Sequence, residues 1–273
     1  MQDRIRISLT LKKEIVSLID SKVDGTIIRN RSHAIEHYLK MSLASSAGQA
    51  VLFVPSEADL FKEIGNELLI NRLLRVFRKS GVLHILFCCS EEATHLKKHV
   101  GAKKFHDFTF HFFKTDAGYT AKALWECKDH LHPGTFFVLH ANIAAEIDFF
   151  DFQDFHKEKN AVATLSLTSI ADPLPWGVVR LKRDVVTDFR EKPLFNAESE
   201  TRLTNLINAG IYIFEPEIFS YFSENAKSLE IDVFPLLARE RKLFGYFLDG
   251  AWFNVSDSNM FESAQRHFSA DHS

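Results

Sequence analysis

Cysteine is scarce in this chain. The three copies are Cys88, Cys89 and Cys127. Two are adjacent, a spacing that rarely closes on itself, and no C-x-x-C pattern exists. That excludes a disulfide framework and a cysteine zinc site, and it points to reduced, buried thiols. Apolar runs are short: none reaches the ~18 residues that a membrane span requires. The opening Met1-Gln-Asp-Arg-Ile-Arg6 does not read as a signal peptide. These absences lead us to expect no membrane partner and a cytoplasmic location. Internal repeats and low-complexity tracts are missing too. Histidine, by contrast, is plentiful, and His106, His111, His130, His132 and His140 fall in one region. They carry no H-E-x-x-H spacing, so we expect no metal and no cofactor.

What remains is ordinary globular composition. Hydrophobic residues make up 46% and charged residues 25% of 273, enough for a small domain joined to a larger one. A net charge of -3 argues against a uniformly basic nucleic-acid binder. The 26 phenylalanines point to a well-filled core or a partner surface and name no function.

The small, polar stretch 44–50 reads as a linker. It separates a head, 1–43, from a body, 51–273. The head opens with strict alternation: Ile5, Ile7, Leu9 and Leu11 face one side, and Arg4, Arg6, Ser8 and Thr10 the other. A helix is predicted from about Lys12 to Lys22, broken at Asp24-Gly25. A second begins with Ser32 as its N-cap. One strand and two helices cannot bury a core alone, so the strand is expected to pair with a second copy of the chain, giving a homodimer or a higher oligomer. The bland alternative is that it pairs within the body.

Arg6-Ile-Ser-Leu-Thr-Leu11, Gly25 and Asn30-Arg-Ser-His-Ala-Ile35 resemble the ribbon-helix-helix family of DNA-binding dimers. The resemblance implies a double-stranded DNA partner. A two-stranded ribbon fits the major groove, with Arg6, Ser8 and Thr10 reaching base edges and Arg4 at the margin. Asn30, Arg31 and Ser32 would meet a phosphate at the start of the second helix.

In the body, apolar runs alternate with helical segments: strands at 51–54, 83–89, 135–140 and 161–168, and helices at 67–80, 121–130 and 150–159. Such alternation implies a largely parallel, doubly wound α/β sheet. Six segments in order resemble sugar-phosphate nucleotidyltransferases: Ile64-Gly-Asn-Glu-Leu-Leu-Ile70 with Gly81–Phe87, Phe137-Val-Leu-His-Ala-Asn142, Trp176-Gly-Val-Val179 with Phe189-Arg-Glu-Lys-Pro193, Asn208-Ala-Gly-Ile-Tyr-Ile-Phe214, Glu230-Ile-Asp-Val-Phe-Pro235, and Gly250-Ala-Trp-Phe-Asn254. The resemblance implies a mixed, Rossmann-like α/β fold. It also implies a site for a sugar phosphate or nucleotide sugar at Gly177, Glu191, Lys192, Asn208 and Gly210, with the lysine on the sugar phosphate.

The departures are equally specific. The family's first strand opens into a glycine-rich loop whose amides cradle phosphates. Val51–Phe61 contains no glycine and no basic residue, and it carries Glu57 and Asp59, which would repel a triphosphate. Asn142 and Asn254 stand where the family places two Mg²⁺-binding aspartates, and amides bring no charge to a hard cation. We therefore expect a transcriptional regulator: a DNA-binding head on a catalytically inert, nucleotidyltransferase-like body that senses a ligand or enforces assembly. One rival is a nucleotidyltransferase with a non-standard active site. The other is a structural protein that organises DNA.

Overall fold

The computed structural model describes residues 8–21, 23, 30–35, 48–116, 118–193 and 204–270. Contacts divide the chain into two units, 1–46 and 47–273. In the first, helix α1 spans Lys13–Asp20. Residues 8–12 have no regular secondary structure, and Ser8, Leu9 and Thr10 are exposed. Within a single chain the predicted strand is not formed over its described part, where the backbone has no ladder partner. Arg4 and Arg6 lie outside the described residues.

The second head helix is entered two residues earlier than expected. Asn30, not Ser32, caps it, its Oδ1 accepting from the His33 amide at 2.9 Å. This is the usual N-cap bond to the third residue of the helix. Ser32 sits exposed within the first turn. Arg31 forms a fork with Asp20, Nε to Oδ1 at 2.7 Å and Nη2 to Oδ2 at 2.6 Å. That hydrogen bond holds the Asp20 carboxyl below its ordinary range. The guanidinium assigned to a phosphate by the sequence is engaged within its own unit.

The second unit is built on strands β1 (Gln49–Val54), β2 (His84–Cys89), β3 (Thr109–Lys114), β4 (Phe136–His140), β5 (Ile143–Ala145), β6 (Ala163–Ser169), β7 (Gly177–Lys182), β8 (Val185–Glu191), β9 (Leu206–Phe214), β10 (Leu243–Phe247) and β11 (Trp252–Asn254). The first takes in Gln49 and Ala50 from the predicted linker. Nine form one sheet in the order β3-β2-β1-β4-β9-β6-β10-β8-β7. The β3-β2-β1-β4 half is parallel, as alternating strands and helices predict. Beyond it β9 runs antiparallel to both β4 and β6, which makes the sheet mixed. β5 and β11 pair separately.

The longer helices of the unit are α2 (Leu69–Lys79), α3 (Thr94–Val100), α4 (Thr120–Cys127), α5 (Phe149–Lys159), α6 (Phe234–Arg239) and α7 (Ser258–Ala270), with a single helical turn at Glu57–Leu60. α5 starts at Asp148, whose Oδ1 accepts from the Phe150 amide at 2.8 Å, and ends on Asn160 in the left-handed region. Its Phe149 and Phe152 are buried. The aromatic–acidic run therefore packs on the sheet.

Strand alternation builds two cores. Val51, Phe53, Leu86, Tyr212, Phe214 and Phe234 lie in one, and Leu52, Phe77, Phe87, Phe137, Phe152 and Ile211 in the other. Most phenylalanines go there, where close-packed rings contribute ~1.5–3 kcal/mol each on burial. The three cysteines are buried and unpaired, and burial pushes the Cys89 thiol up to about 12. Such a thiol is a small hydrophobe, not a nucleophile.

Predicted helix 67–80 begins later, because Glu67–Leu68 pairs with Glu63–Ile64 in a tight hairpin. Gly65 turns it at φ +62°, where an added Cβ would sit 2.6 Å from the Phe268 carbonyl oxygen. Replacing Gly65 with alanine should cost ~1–3 kcal/mol, since both backbone conformation and space oppose it. Urea denaturation measures the loss; a change under half a kilocalorie would contradict the packing described.

Candidate functional site

β4 ends at His140, and the chain then turns through Asn142 into β5. Next to it β9 is interrupted: its register with β6 shifts between Asn208 and Tyr212. Gly210 in that bulge has φ +78°, and Asn208 Oδ1 accepts from its amide at 3.0 Å. The bulge turns the Ala209 carbonyl to the Trp252 indole, which donates at 2.8 Å. Bulges of this kind commonly re-aim side chains beside sites. Across the cleft, Gly177 at the start of β7 pairs in register with Glu191 at the end of β8. A Cβ on Gly177 would meet Phe189 Cζ at 2.7 Å and Glu191 Oε2 at 2.8 Å, so only glycine leaves that wall open.

Together these elements line a cavity of about 650 Å³, within the usual range for small-molecule sites. Gly177, Glu191, Lys192, Asn208, Gly210, Asn142 and Asn254 all face it, so seven residues singled out from separate segments meet in one place. A second hollow, of about 560 Å³ between α2 and the β5–α5 turn, holds none of them.

Sequence reasoning missed the centre of the cavity floor. Glu230 is buried there. Thr120 and Ser228 hydroxyls donate to its Oε2, each at 2.7 Å. His140 Nε2 and the Tyr212 hydroxyl lie 3.4 Å from Oε1, and Asn208 Nδ2 donates to that hydroxyl at 2.8 Å. Burial pushes the Glu230 carboxyl up, but the His140 interaction and the two hydroxyls outweigh it and hold the group at about 2. Glu191 behaves oppositely: burial, with the Glu230 charge behind it, raises its carboxyl against the pull of Lys192. Two carboxyls of divergent proton affinity thus share one floor. Lys192 Nζ, 4.0 Å from Glu191 Oε1, remains largely exposed at the mouth. Trp176 and Trp252 meet there edge to face, centroids 5.2 Å apart.

The strand-end segment differs from expectation. Glu57 and Asp59 are not free to repel an anion. Glu57 accepts from the Leu96 amide at 3.1 Å and binds His95 Nδ1 at 2.7 Å. Asp59 pairs with Lys62 at 2.8 Å and accepts from the Ser256 hydroxyl at 2.6 Å. The two asparagines face each other, Asn142 Nδ2 donating to Asn254 Oδ1 at 3.2 Å. They do not fit a hard dication, which favours carboxylate oxygens. Among the described residues no three His, Cys, Asp or Glu side chains converge as a metal site.

Elsewhere four histidine rings cluster at tilted angles. The His84 ring lies 4.2 Å from His132 and 5.1 Å from His111, and His111 lies 5.6 Å from His130. Burial and this company lower the His84 imidazole.

A model of the nucleotidyl transferase family matches residues 58–270. The chain belongs to that family. Among its relatives is the mannose-1-phosphate guanylyltransferase catalytic subunit beta of Dictyostelium discoideum, 33% identical over 53% of this chain and 39% of that protein. The protein of the same name from Drosophila pseudoobscura pseudoobscura is 28% identical over 73% of this chain and 53% of its own length. The chain thus spans about half or less of these curated relatives. Two solved structures share the fold. One is the sucrose complex of a Bacillus anthracis chain assigned as a glucose-1-phosphate thymidylyltransferase (TM-score 0.70, 16% identity, 81% of this chain and 94% of that one). The other is a UTP-bound UGPase from Acinetobacter baumannii (TM-score 0.65, 15% identity, 83% and 94%).

These matches overturn two expectations. The leading reading was a ribbon-helix-helix regulator of transcription on DNA, but the family and the relatives named here are nucleotidyltransferases, none a DNA-binding protein. The reading of DNA organisation has no support for the same reason. The body's presumed inertness also fails, because the relatives are named for transferase activity. The error lay in treating two amides and a missing loop as decisive, when most of the nucleotidyl transferase scaffold was intact. As for membranes, no helix among the described residues is long and apolar enough to cross one.

Proposed function

We propose that this chain is a sugar-phosphate nucleotidyltransferase with a non-standard active site. It would join a sugar 1-phosphate to a nucleoside triphosphate, forming a nucleotide sugar and releasing pyrophosphate. One observation carries the reading: Gly177, Glu191, Lys192, Asn208 and Gly210, drawn from three strands, line a single cavity of about 650 Å³. Family membership over 58–270 supports it.

The roles follow from chemistry. Lys192 supplies a mobile cation at the mouth for a sugar phosphate. Asn208 and the Gly210 bulge offer amide groups for sugar hydroxyls. Glu191, its carboxyl raised by burial, can accept or share a hydroxyl proton. Trp176 and Trp252, set edge to face, give an apolar corner against which a sugar ring can pack. The reading carries a cytoplasmic setting, where sugar phosphates and nucleoside triphosphates both circulate. Mannose 1-phosphate with GTP is the first pair to try, because the relatives are named for it.

Coupled pyrophosphate detection on the purified chain, with several sugar 1-phosphates and triphosphates, provides the test. We expect release that depends on both substrates and disappears in a Gly177→Val variant, which closes the cavity. No release with any pair, with or without divalent cation, would refute the proposal.

A further inference from the structure

The corner of the cavity where β11 meets β5 has an unusual chemistry. Backbone pairing sets Asn254 opposite Ile143, and the Val255 amide donates to the Asn142 carbonyl at 2.9 Å. Asn142 and Asn254 are therefore held side by side by the main chain. Asn254 Oδ1 accepts from the Ser256 amide at 2.9 Å, which fixes that side chain with its oxygen inward. Asn142 must then present its NH₂, and it does: Nδ2 donates to Asn254 Oδ1 at 3.2 Å and to Ser256 Oγ at 2.9 Å.

The nearby carboxylates Asp59 and Asp257 already have partners. Asp59 is taken up by Ser256 and Lys62, and Lys62 also donates to the Val255 carbonyl at 2.6 Å. Asp257 caps α7, its Oδ1 accepting from the Met260 amide at 2.9 Å. Asn142 Oδ1 is the one amide oxygen of this pair without a protein partner. A single neutral oxygen cannot replace the hydration shell of a divalent cation, which wants six or more oxygens with formal charge among them.

We infer that the Asn142–Asn254 amide pair closes this corner by itself, so that the cavity keeps its shape with no divalent cation. The hydrogen bond stands where two carboxylates would repel each other unless a metal bridged them. The Asp59 carboxylate behind the pair is already neutralised by Lys62 and bonded by Ser256, so a cation arriving here gains no free negative charge from it. The inference rests on reading this cavity as the transferase site. Its test uses neither sugar nor nucleotide, so the two can fail separately.

The experiment is a Mn²⁺ titration of the full chain followed by the electron paramagnetic resonance signal of the free ion, alongside thermal unfolding in EDTA and in Mg²⁺. The wild-type chain should leave the Mn²⁺ signal undiminished through the millimolar range and show one unfolding midpoint in both buffers. Asn142→Asp/Asn254→Asp should create a site: at least a tenfold gain in Mn²⁺ affinity, and a midpoint that falls in EDTA and recovers with Mg²⁺. Stoichiometric Mn²⁺ binding by the wild type that Asn142→Ala abolishes would overturn the inference, as would a wild-type midpoint that drops in EDTA. Should the double variant fail to fold, the wild-type and Asn142→Ala titrations still decide.

Discussion

Replacing Glu230 with alanine should remove about 3–5 kcal/mol of stability, the largest loss expected from any single substitution in the cavity. The carboxylate is buried and serves the hydroxyls of Thr120 and Ser228, with His140 and Tyr212 on its other oxygen. Deleting it leaves four polar groups facing a void, and losing one member of a buried charged cluster costs far more than its net worth. Urea denaturation reads the effect. The pH dependence gives a second signature. Glu230 is held at about 2 against an ordinary 4.5. A carboxyl lowered by folding contributes stability that is complete above its unfolded value and lost as pH falls toward the folded one. The wild type should therefore shed ~3 kcal/mol between about pH 5 and pH 2 through this group. Glu230→Gln, which keeps the shape and removes the charge, should lack that limb. An acid limb unchanged in the glutamine variant would show that Glu230 is not the group responsible.

Lys192→Ala should raise the KM for sugar 1-phosphate roughly tenfold to hundredfold, the equivalent of ~1.5–3 kcal/mol for a hydrogen bond to a charged group. The lysine is exposed at the cavity mouth, and its backbone adopts φ +41°. That uncommon conformation sets it off the line of β8, with its amide donating to the Trp176 carbonyl at 3.1 Å. Its backbone is thus fixed while its ammonium stays mobile, with Glu191 Oε1 4.0 Å away. Lys192→Arg should recover part of the affinity, because charge matters more than shape at an exposed phosphate contact. Steady-state kinetics separate the outcomes. A fall in kcat with KM unchanged would place the lysine on the transition state instead, and no change in either would remove it from the site.

Alternating apolar and helical runs made the α/β body readable, and ordered segments that resemble nucleotidyltransferases named its site. Short segments around Gly177, Glu191–Lys192 and Asn208–Gly210 each resemble the nucleotidyltransferase pattern, so the resemblance could name these five residues one segment at a time, and the fold brings them to one cavity. Glu230, His140 and Tyr212 could not. Their network spans up to 110 residues of sequence separation, and nothing beside Glu230 reveals that Thr120 will meet it. β3 escaped notice because Thr109–Lys114 is a half-exposed edge with aromatics on both faces, which blurs the period of two. Leu9 and Thr10 are the opposite case, without regular structure in the single chain. Their alternation is real, yet alternation stabilises a strand only where a neighbouring strand takes up its backbone groups. The misjudged catalytic status has a related cause. In the sequence Asn142 and Asn254 read only as replacements for carboxylates, and their juxtaposition in the fold shows a bonded pair.

β9 has a consequence of its own. Ile211 and Ile213 point into one core, Tyr212 and Phe214 into the other, and the Gly210 bulge lies immediately before them. The wall that would touch a ligand is therefore continuous with the keystone of both layers. Attempts to harden this protein against heat by repacking either layer will shift its affinity too, because durability and recognition are carried on the same nine residues.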